Sequence, residues 1–232
     1  MTDGLDLGGD LGERLARVAS GVDDAVRAAG RQADEVTTIV VTKFHPASLV
    51  RELHALGVRD VAENRHQEAQ AKSADTADLE GLRWHFVGQL QSKKARQARR
   101  YVSAVHSLDR DSVVDALGVD DGHVVDGFVQ VSLGGQEGRG GVPASEVERL
   151  VERLLHLPGV RLRGVMAVAP LGEPARPAFA RLRRVSEEVR RTAPGADAIS
   201  AGMSHDFADA IAEGATHLRI GTAITGSRPE AR

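Results

Sequence analysis

Eight short apolar segments alternating with helical patterns predict one closed (β/α)8 barrel of the TIM type, an α/β fold with a single parallel sheet. The length agrees. A chain of 232 residues suits eight strand–helix units, and such barrels reach about 250 residues as one domain. Uniformity is the third observation: no repeat, long linker or composition shift marks a second domain. Residues 1–232 therefore read as one unit, with an N-terminal helix at about 11–30 and a short C-terminal tail. A doubly wound open sheet is the rival arrangement.

The elements follow in order. Leu11, Leu15, Val18, Val22 and Val26 recur at helical spacing, and Gly30 suits the stop. Residues 36–42 (VTTIVVT) are short, β-branched and apolar, as in a strand buried on both faces. Pro46 fits the first turn of a helix over 46–56. Further strand patterns lie near 58–62, 83–87, 102–106, 124–132, 160–167, 197–200 and 216–220. Helical patterns fill about 64–79, 91–100, 109–117, 143–156, 174–192 and 204–213. In the Arg-rich 181–191 stretch, Leu182, Val185 and Val189 supply a buried stripe beneath a solvated face. Segment 197–200 carries the weakest strand pattern.

Composition narrows the function. Lys and Arg total 30 against 33 Asp and Glu, so net charge leaves no footprint for nucleic acid or membrane. Aromatics at 3% supply few stacking platforms for bases. The absence of cysteine excludes disulfides, thiolate metal sites and cysteine nucleophiles, and suits a cytoplasmic protein. The acidic start, Met1 to Asp6, has no signal-peptide pattern, and no run of about 18 apolar residues occurs. The nine histidines show no metal-ligand spacing, and no P-loop, GxGxxG or GxSxG motif occurs.

Barrel chemistry sits at the carboxyl ends of strands. Lys43 follows the first strand and alternates with Ile39 and Val41, so it can face the mouth. At a dry site its amine suits Schiff-base chemistry; the plain alternative is a solvated strand end. Gly202-Met203-Ser204 follows the seventh strand and Gly221-Thr222 the eighth, where barrels often hold phosphate. Ser204 as an ordinary helix cap is the other reading. An amine beside a phosphate cup suggests a phosphorylated aldehyde, either pyridoxal phosphate or a sugar phosphate in an aldolase. His85 reads as a satisfied core or rim histidine rather than a metal ligand. The Gly-rich run at 134–141 reads as a flexible connection or a lid. Lys93, Lys94, Arg96, Arg99 and Arg100 read as a solvated basic face.

A family resemblance emerges at these residues. It is carried by Val41-Thr42-Lys43 with Pro46, Glu63-Asn64 with Gln67-Glu68-Ala69, Trp84-His85-Phe86-Val87-Gly88 and Leu90-Gln91-Ser92. Val105-His106-Ser107-Leu108-Asp109-Arg110, Leu162-Arg163-Gly164-Val165-Met166-Ala167, Gly202-Met203-Ser204 and Arg219-Ile220-Gly221-Thr222-Ala223-Ile224 continue it. In this order, from about Val36 to Arg228, they resemble the pyridoxal phosphate homeostasis proteins. That resemblance implies a single barrel of the alanine racemase N-terminal type without a second β domain. It also implies pyridoxal 5'-phosphate as cofactor, held as a reversible Schiff base on Lys43. Ser204, Gly221 and Thr222 would hold the phosphate, and Arg219 would face the pyridine nitrogen. Asn64, His85, Met166 and Ser200 would line the pocket. Ala62, Gln89 and Lys93 stand where Gly, Pro and Asn are usual in the family, and the Gly-rich loop departs from its usual pattern.

A carrier rather than an enzyme is the expectation. Arginine keeps its proton, so Arg219 would leave the ring a weaker electron sink than a carboxylate would. Racemisation also needs a second base on the opposite face, which in racemases comes from a second domain; this sequence is expected to end with the barrel. Partners would be the cofactor, amino acids and, transiently, cofactor-requiring apo-enzymes, with the chain a monomer or weak dimer. The alternatives are a weak amino-acid racemase or decarboxylase, or an aldolase using Glu63 or Asp109 as acid/base. A regulatory module acting through the basic 93–100 face is a third.

Overall fold

A computed structural model describes residues 8–134 and 140–228. Met1 to Asp6, residues 135–139 of the Gly-rich run and the tail from 229 lie outside that range. The described chain begins with α1 (Leu11–Ala28), which Asp10 caps by accepting from the Glu13 amide at 2.9 Å. Val18, Val22 and Val26 are buried, and Leu11 and Leu15 pack at the edge.

Eight strands then close into a parallel barrel in sequential order. They are β1 (Thr37–Val41), β2 (Asp60–Glu63), β3 (Arg83–Phe86), β4 (Ala104–Leu108), β5 (Val125–Gln130), β6 (Val160–Met166), β7 (Ala198–Ser200) and β8 (His217–Ile220). The open-sheet alternative is excluded, because β1 pairs with both β2 and β8. The weakly patterned β7 is real: its partners, Val165↔Ile199 on β6 and Ser200↔His217 on β8, define it. The intervening helices are α2 (Ala47–Ala55), α3 (His66–Asp75), α4 (Ser92–Ala98), α5 (Asp111–Leu117), α6 (Ala144–Leu155), α7 (Ala175–Thr192) and α8 (Phe207–Ala212). A one-turn α9 (Thr222–Thr225) follows β8; four residues are too few to show a helical period. Pro46 stands at the N-cap of α2, one residue before the expected first turn.

Strand alternation separates two interiors. Val40, Val105, Val129, Val165, Leu218 and Ile220 face outward into the main apolar core shared with the helices. There α6 contributes Val147, Leu150, Val151 and Leu154, an i, i+3, i+4, i+7 stripe. Each such buried side chain contributes about 1.5–3 kcal/mol, so the shell supplies most of the cohesion. Inside the barrel the apolar sets are small: Ile39, Val41 and Ala62 with Val87, and Ala104, Phe128, Met166 and Ala198. The rest of the interior is polar. Gly164 (φ 151°) makes this packing possible: a Cβ there would meet the Ala198 carbonyl oxygen at 1.8 Å. The β5–β6 register shifts at the same place, so Gly127 pairs with Leu162 but Phe128 with Gly164.

The basic face differs from expectation at one position. Arg99 is buried and donates to the carbonyl oxygens of Leu117, Val119, His123 and Gly159 while pairing with Asp121. It is a structural staple between α4 and the following loops, unlike exposed Lys93, Arg96 and Arg100.

Candidate functional site

The carboxyl ends of β1 and β8 lie side by side, with Val40 opposite Ile220. Lys43 leaves β1 after Thr42 and is exposed. Phe44 follows with φ 70°, alone among the described non-glycine residues in the left-handed region. An aromatic side chain held there stores backbone strain of roughly 1–3 kcal/mol, as is common beside functional residues. Its ring is surrounded by cations: Lys43 at 5.8 Å, Arg65 at 5.5 Å and Arg228 at 4.4 Å from the ring centre.

Thr42 is anchored from behind. Its hydroxyl donates to Glu63 Oε1 at 2.7 Å, and Lys72 Nζ bridges the Thr42 carbonyl (2.9 Å) and Glu63 Oε1 (2.5 Å). Burial pushes the Glu63 carboxyl up, against the opposing pull of Lys72 and Thr42. Glu63 thus lies on the outer face of the sheet, held by Lys72 and Thr42. Asp109 is committed too, to Arg110 (2.8 Å) and the Gly141 amide (3.4 Å). Both residues that the aldolase alternative named are thus held in ion pairs, Glu63 with Lys72 and Asp109 with Arg110.

The loops after β7 and β8 meet, since the Ala223 amide donates to Ser204 Oγ at 3.4 Å. Ser204 does not cap α8: that helix starts at Phe207 after Asp206, whose carboxylate accepts from the Met203 amide at 2.6 Å. Thr222 is exposed beside them, and the Gly221 backbone lies against Val41, two residues before Lys43. The hydroxyls of Ser204 and Thr222 and the backbone at Gly221 thus gather near the strand end from which Lys43 departs. Asn64, at the end of β2, keeps a buried Oδ1 with no partner among the described residues. Gly88 approaches it so closely that a Cβ would meet the Asn64 carbonyl oxygen at 2.1 Å. These features fit a phosphorylated aldehyde: an amine for the carbonyl, a cup for the phosphate and an unsatisfied acceptor nearby.

Arg219, Ser200 and Met166 lie deeper, all buried inside the barrel. Arg219 donates to Ser200 Oγ (2.6 Å) and the Ala167 carbonyl (2.9 Å). Burial lowers its pKa to about 10, partly offset by Asp206, which leaves the guanidinium charged at neutral pH. His85 departs from the expectation that it lines the same pocket. Its ring is buried between Asp60 (2.8 Å) and His106 (2.9 Å), and it lines a cavity at the amino ends of the strands. Asp60 and the interior role of His106 were not found from sequence. The signal available was Asp60 opening an apolar strand at the spacing that puts it inside with Ala62.

Residues 19–229 match the alanine racemase N-terminal domain family. The pyridoxal phosphate homeostasis protein of Pseudomonas aeruginosa is 40% identical over 94% of this chain and 96% of its own. That of Escherichia coli K12 is 34% identical over 94% and 97%. The structure of PipY from Synechococcus elongatus, with PLP bound, superposes with a TM-score of 0.82 at 35% identity over 94% of this chain and all of that one. Alanine racemase from Corynebacterium glutamicum shares the fold (TM-score 0.68, 15% identity), with 94% of this chain covering 64% of that enzyme. The barrel, its strand-end residues and these matches together make the chain a member of the alanine racemase N-terminal domain family and, within it, of the pyridoxal phosphate homeostasis proteins.

Proposed function

We propose that this chain binds pyridoxal 5'-phosphate and serves its homeostasis, holding it reversibly on Lys43 and exchanging it with amino acids or apo-enzymes. The observation that carries the reading is the joined Ser204 and Gly221–Thr222 loops, with Gly221 against Val41 at the strand end from which Lys43 departs. When bound, the cofactor supplies an electrophilic aldehyde and an electron-accepting ring. Lys43 offers the amine. Ser204, Thr222 and the backbone at Gly221 receive the phosphate, where short-range N–H and O–H donors suit a dianion. Arg219 presents a fixed positive charge to the ring nitrogen and keeps its proton. Asn64, Ser200 and Met166 bound the site, and His85 acts from below rather than as a wall.

A carrier suits this arrangement better than a racemase or decarboxylase. The cation at position 219 damps the carbanion chemistry that both reactions need. Release to a recipient needs an open mouth, and the exposure of Lys43 supports one. We place the protein in the cytoplasm, as a monomer or weak dimer with neither nucleic acid nor membrane as partner; no described helix is long and apolar enough to cross a bilayer.

Protein incubated with pyridoxal phosphate should turn yellow, and borohydride should fix one cofactor-sized mass on Lys43. Lys43→Ala should abolish the adduct while leaving the fold intact. A colourless wild-type protein with no added mass would sink the reading, and turnover of an amino acid that depends on Lys43 would replace it with the enzyme.

A further inference from the structure

One hydrogen-bonded chain crosses the barrel from face to face. Arg219 Nη1 lies 2.6 Å from Ser200 Oγ, which lies 2.8 Å from His106 Nδ1. His106 Nε2 is 2.9 Å from His85 Nδ1, and His85 Nε2 is 2.8 Å from Asp60 Oδ1. Arg83 ends the series at 2.6 Å from Asp60 Oδ2. From Arg219 to Asp60 the residues are 5, 0, 0, 7 and 7% exposed. The Asp60 end opens on a cavity of about 320 Å³ at the amino ends of the strands. The Arg219 end belongs to the cofactor site.

Donor chemistry leaves this chain two states. A guanidinium only donates and a carboxylate only accepts. With both rings neutral, Asp60 requires the hydrogen of His85 on Nε2. His85 Nδ1 must then accept, which puts the hydrogen of His106 on Nε2 as well. His106 Nδ1 then accepts from the Ser200 hydroxyl, and Ser200 accepts from Arg219. Every bond points from the mouth toward Asp60. One added proton on His85 reverses the middle: His85 donates both ways, His106 donates from Nδ1, and Ser200 becomes a double acceptor whose own hydrogen is freed. His106 resists charge itself, because full burial, then His85, Arg219 and His217, hold its pKa well below the usual histidine range.

We propose that Asp60, His85 and His106 are positioning residues for Arg219, setting through Ser200 whether the hydroxyl beneath the guanidinium donates into the barrel or toward the mouth. This rests on the reading that Arg219 faces the cofactor ring. The other titratable or charged groups around the rings are His217 on β8, Arg83 on β3, Arg163 on β6 and Asp126 on β5, with Asp34, Glu35 and Asp197 lining the same cavity. His217 is lowered to about 4 by burial and stays neutral above pH 6.

The first test needs no cofactor. Nitrogen-15 spectra of the histidine side chains in the ligand-free protein at pH 8 should show both His85 and His106 with hydrogen on Nε2 and bare Nδ1. A hydrogen on His106 Nδ1 at that pH would overturn the relay. The second uses protein loaded with pyridoxal phosphate and follows its visible absorbance against pH. Asp60→Asn keeps an acceptor for His85 but removes the negative end of the chain. It should lower the midpoint by roughly half a pH unit, about threefold in proton affinity, and Asp60→Glu should restore it. An unmoved midpoint in Asp60→Asn, with Ser200→Ala shifting it, confines the influence to Ser200 and overturns the proposal. Failure of the wild type to take up the cofactor would instead refute the proposed function, and the nitrogen-15 result would still decide the relay.

Discussion

Asp60 and Glu63 stand three residues apart on β2, and strand alternation sends them to opposite faces. Both carboxylates are buried. Asp60 enters the barrel, where hydrogen bonds from His85 and Arg83 outweigh burial and hold its pKa below the usual carboxylate range. Glu63 leaves the sheet toward α3, where burial outweighs Lys72 and Thr42 and pushes its pKa up; one of its oxygens has no partner among the described residues. The inward carboxylate is linked through three side chains to Arg219. The outward one is linked to the backbone just before Lys43 and goes no further. Burial of a charge therefore does not distinguish a residue that tunes the site from one that clamps a strand; the destination of its hydrogen bonds does.

The largest effect expected from breaking this contrast lies outside the barrel. Lys72→Met leaves Glu63 buried without its cation and should cost about 3–5 kcal/mol in urea denaturation. Adding Glu63→Leu should recover much of that, since two apolar residues avoid the desolvation of a lone charge. If the clamp has no part in tuning, neither change should move the absorbance midpoint of loaded protein.

Acidification sharpens the contrast next. His106 and His217 have pKa values lowered in the folded state. Their contribution is therefore complete above the unfolded value near 6.5. It is lost as pH falls below that toward the folded values, at about 1.4 kcal/mol per pH unit for each histidine. Glu63 has the opposite sign: its raised pKa makes protonation favour the folded state as pH falls. Thermal melts at pH 7 and pH 5 should show a net loss at the lower pH, and a smaller loss when His217 is replaced by Asn. Equal melting at both values would show that these rings do not stay neutral in the folded chain.

The smallest effect belongs to the phosphate cup. Thr222→Ala removes one exposed hydroxyl and should weaken cofactor affinity by about 1 kcal/mol, roughly fivefold. Equilibrium dialysis measures it, and the absorbance midpoint should stay in place.

The architecture was legible because short bounded apolar runs, VTTIVVT the plainest, alternate with helices, and the long helices α1, α6 and α7 carry apolar stripes. The proposed site follows from position along a strand: Lys43, Asn64 and Thr222 stand one or two residues past strand ends, and Ser204 stands four past β7. What stayed hidden depends on register between distant segments. Asp60, His85, His106 and Ser200 become a chain only when four strands from residues 60 to 200 place them in adjacent layers. Arg99 was misread for a related reason. The nearby Lys93, Arg96 and Arg100 are solvated, and only the fold brings four carbonyl oxygens to its guanidinium.

Phe44 carries a different consequence. Glycine is at ease where its backbone stands (φ 70°), so replacing the ring would relieve roughly 1 kcal/mol of strain. The same replacement would give up the surface on which Lys43, Arg65 and Arg228 gather. A relaxed backbone and a ring that gathers cations at the mouth thus place opposite demands on this one position.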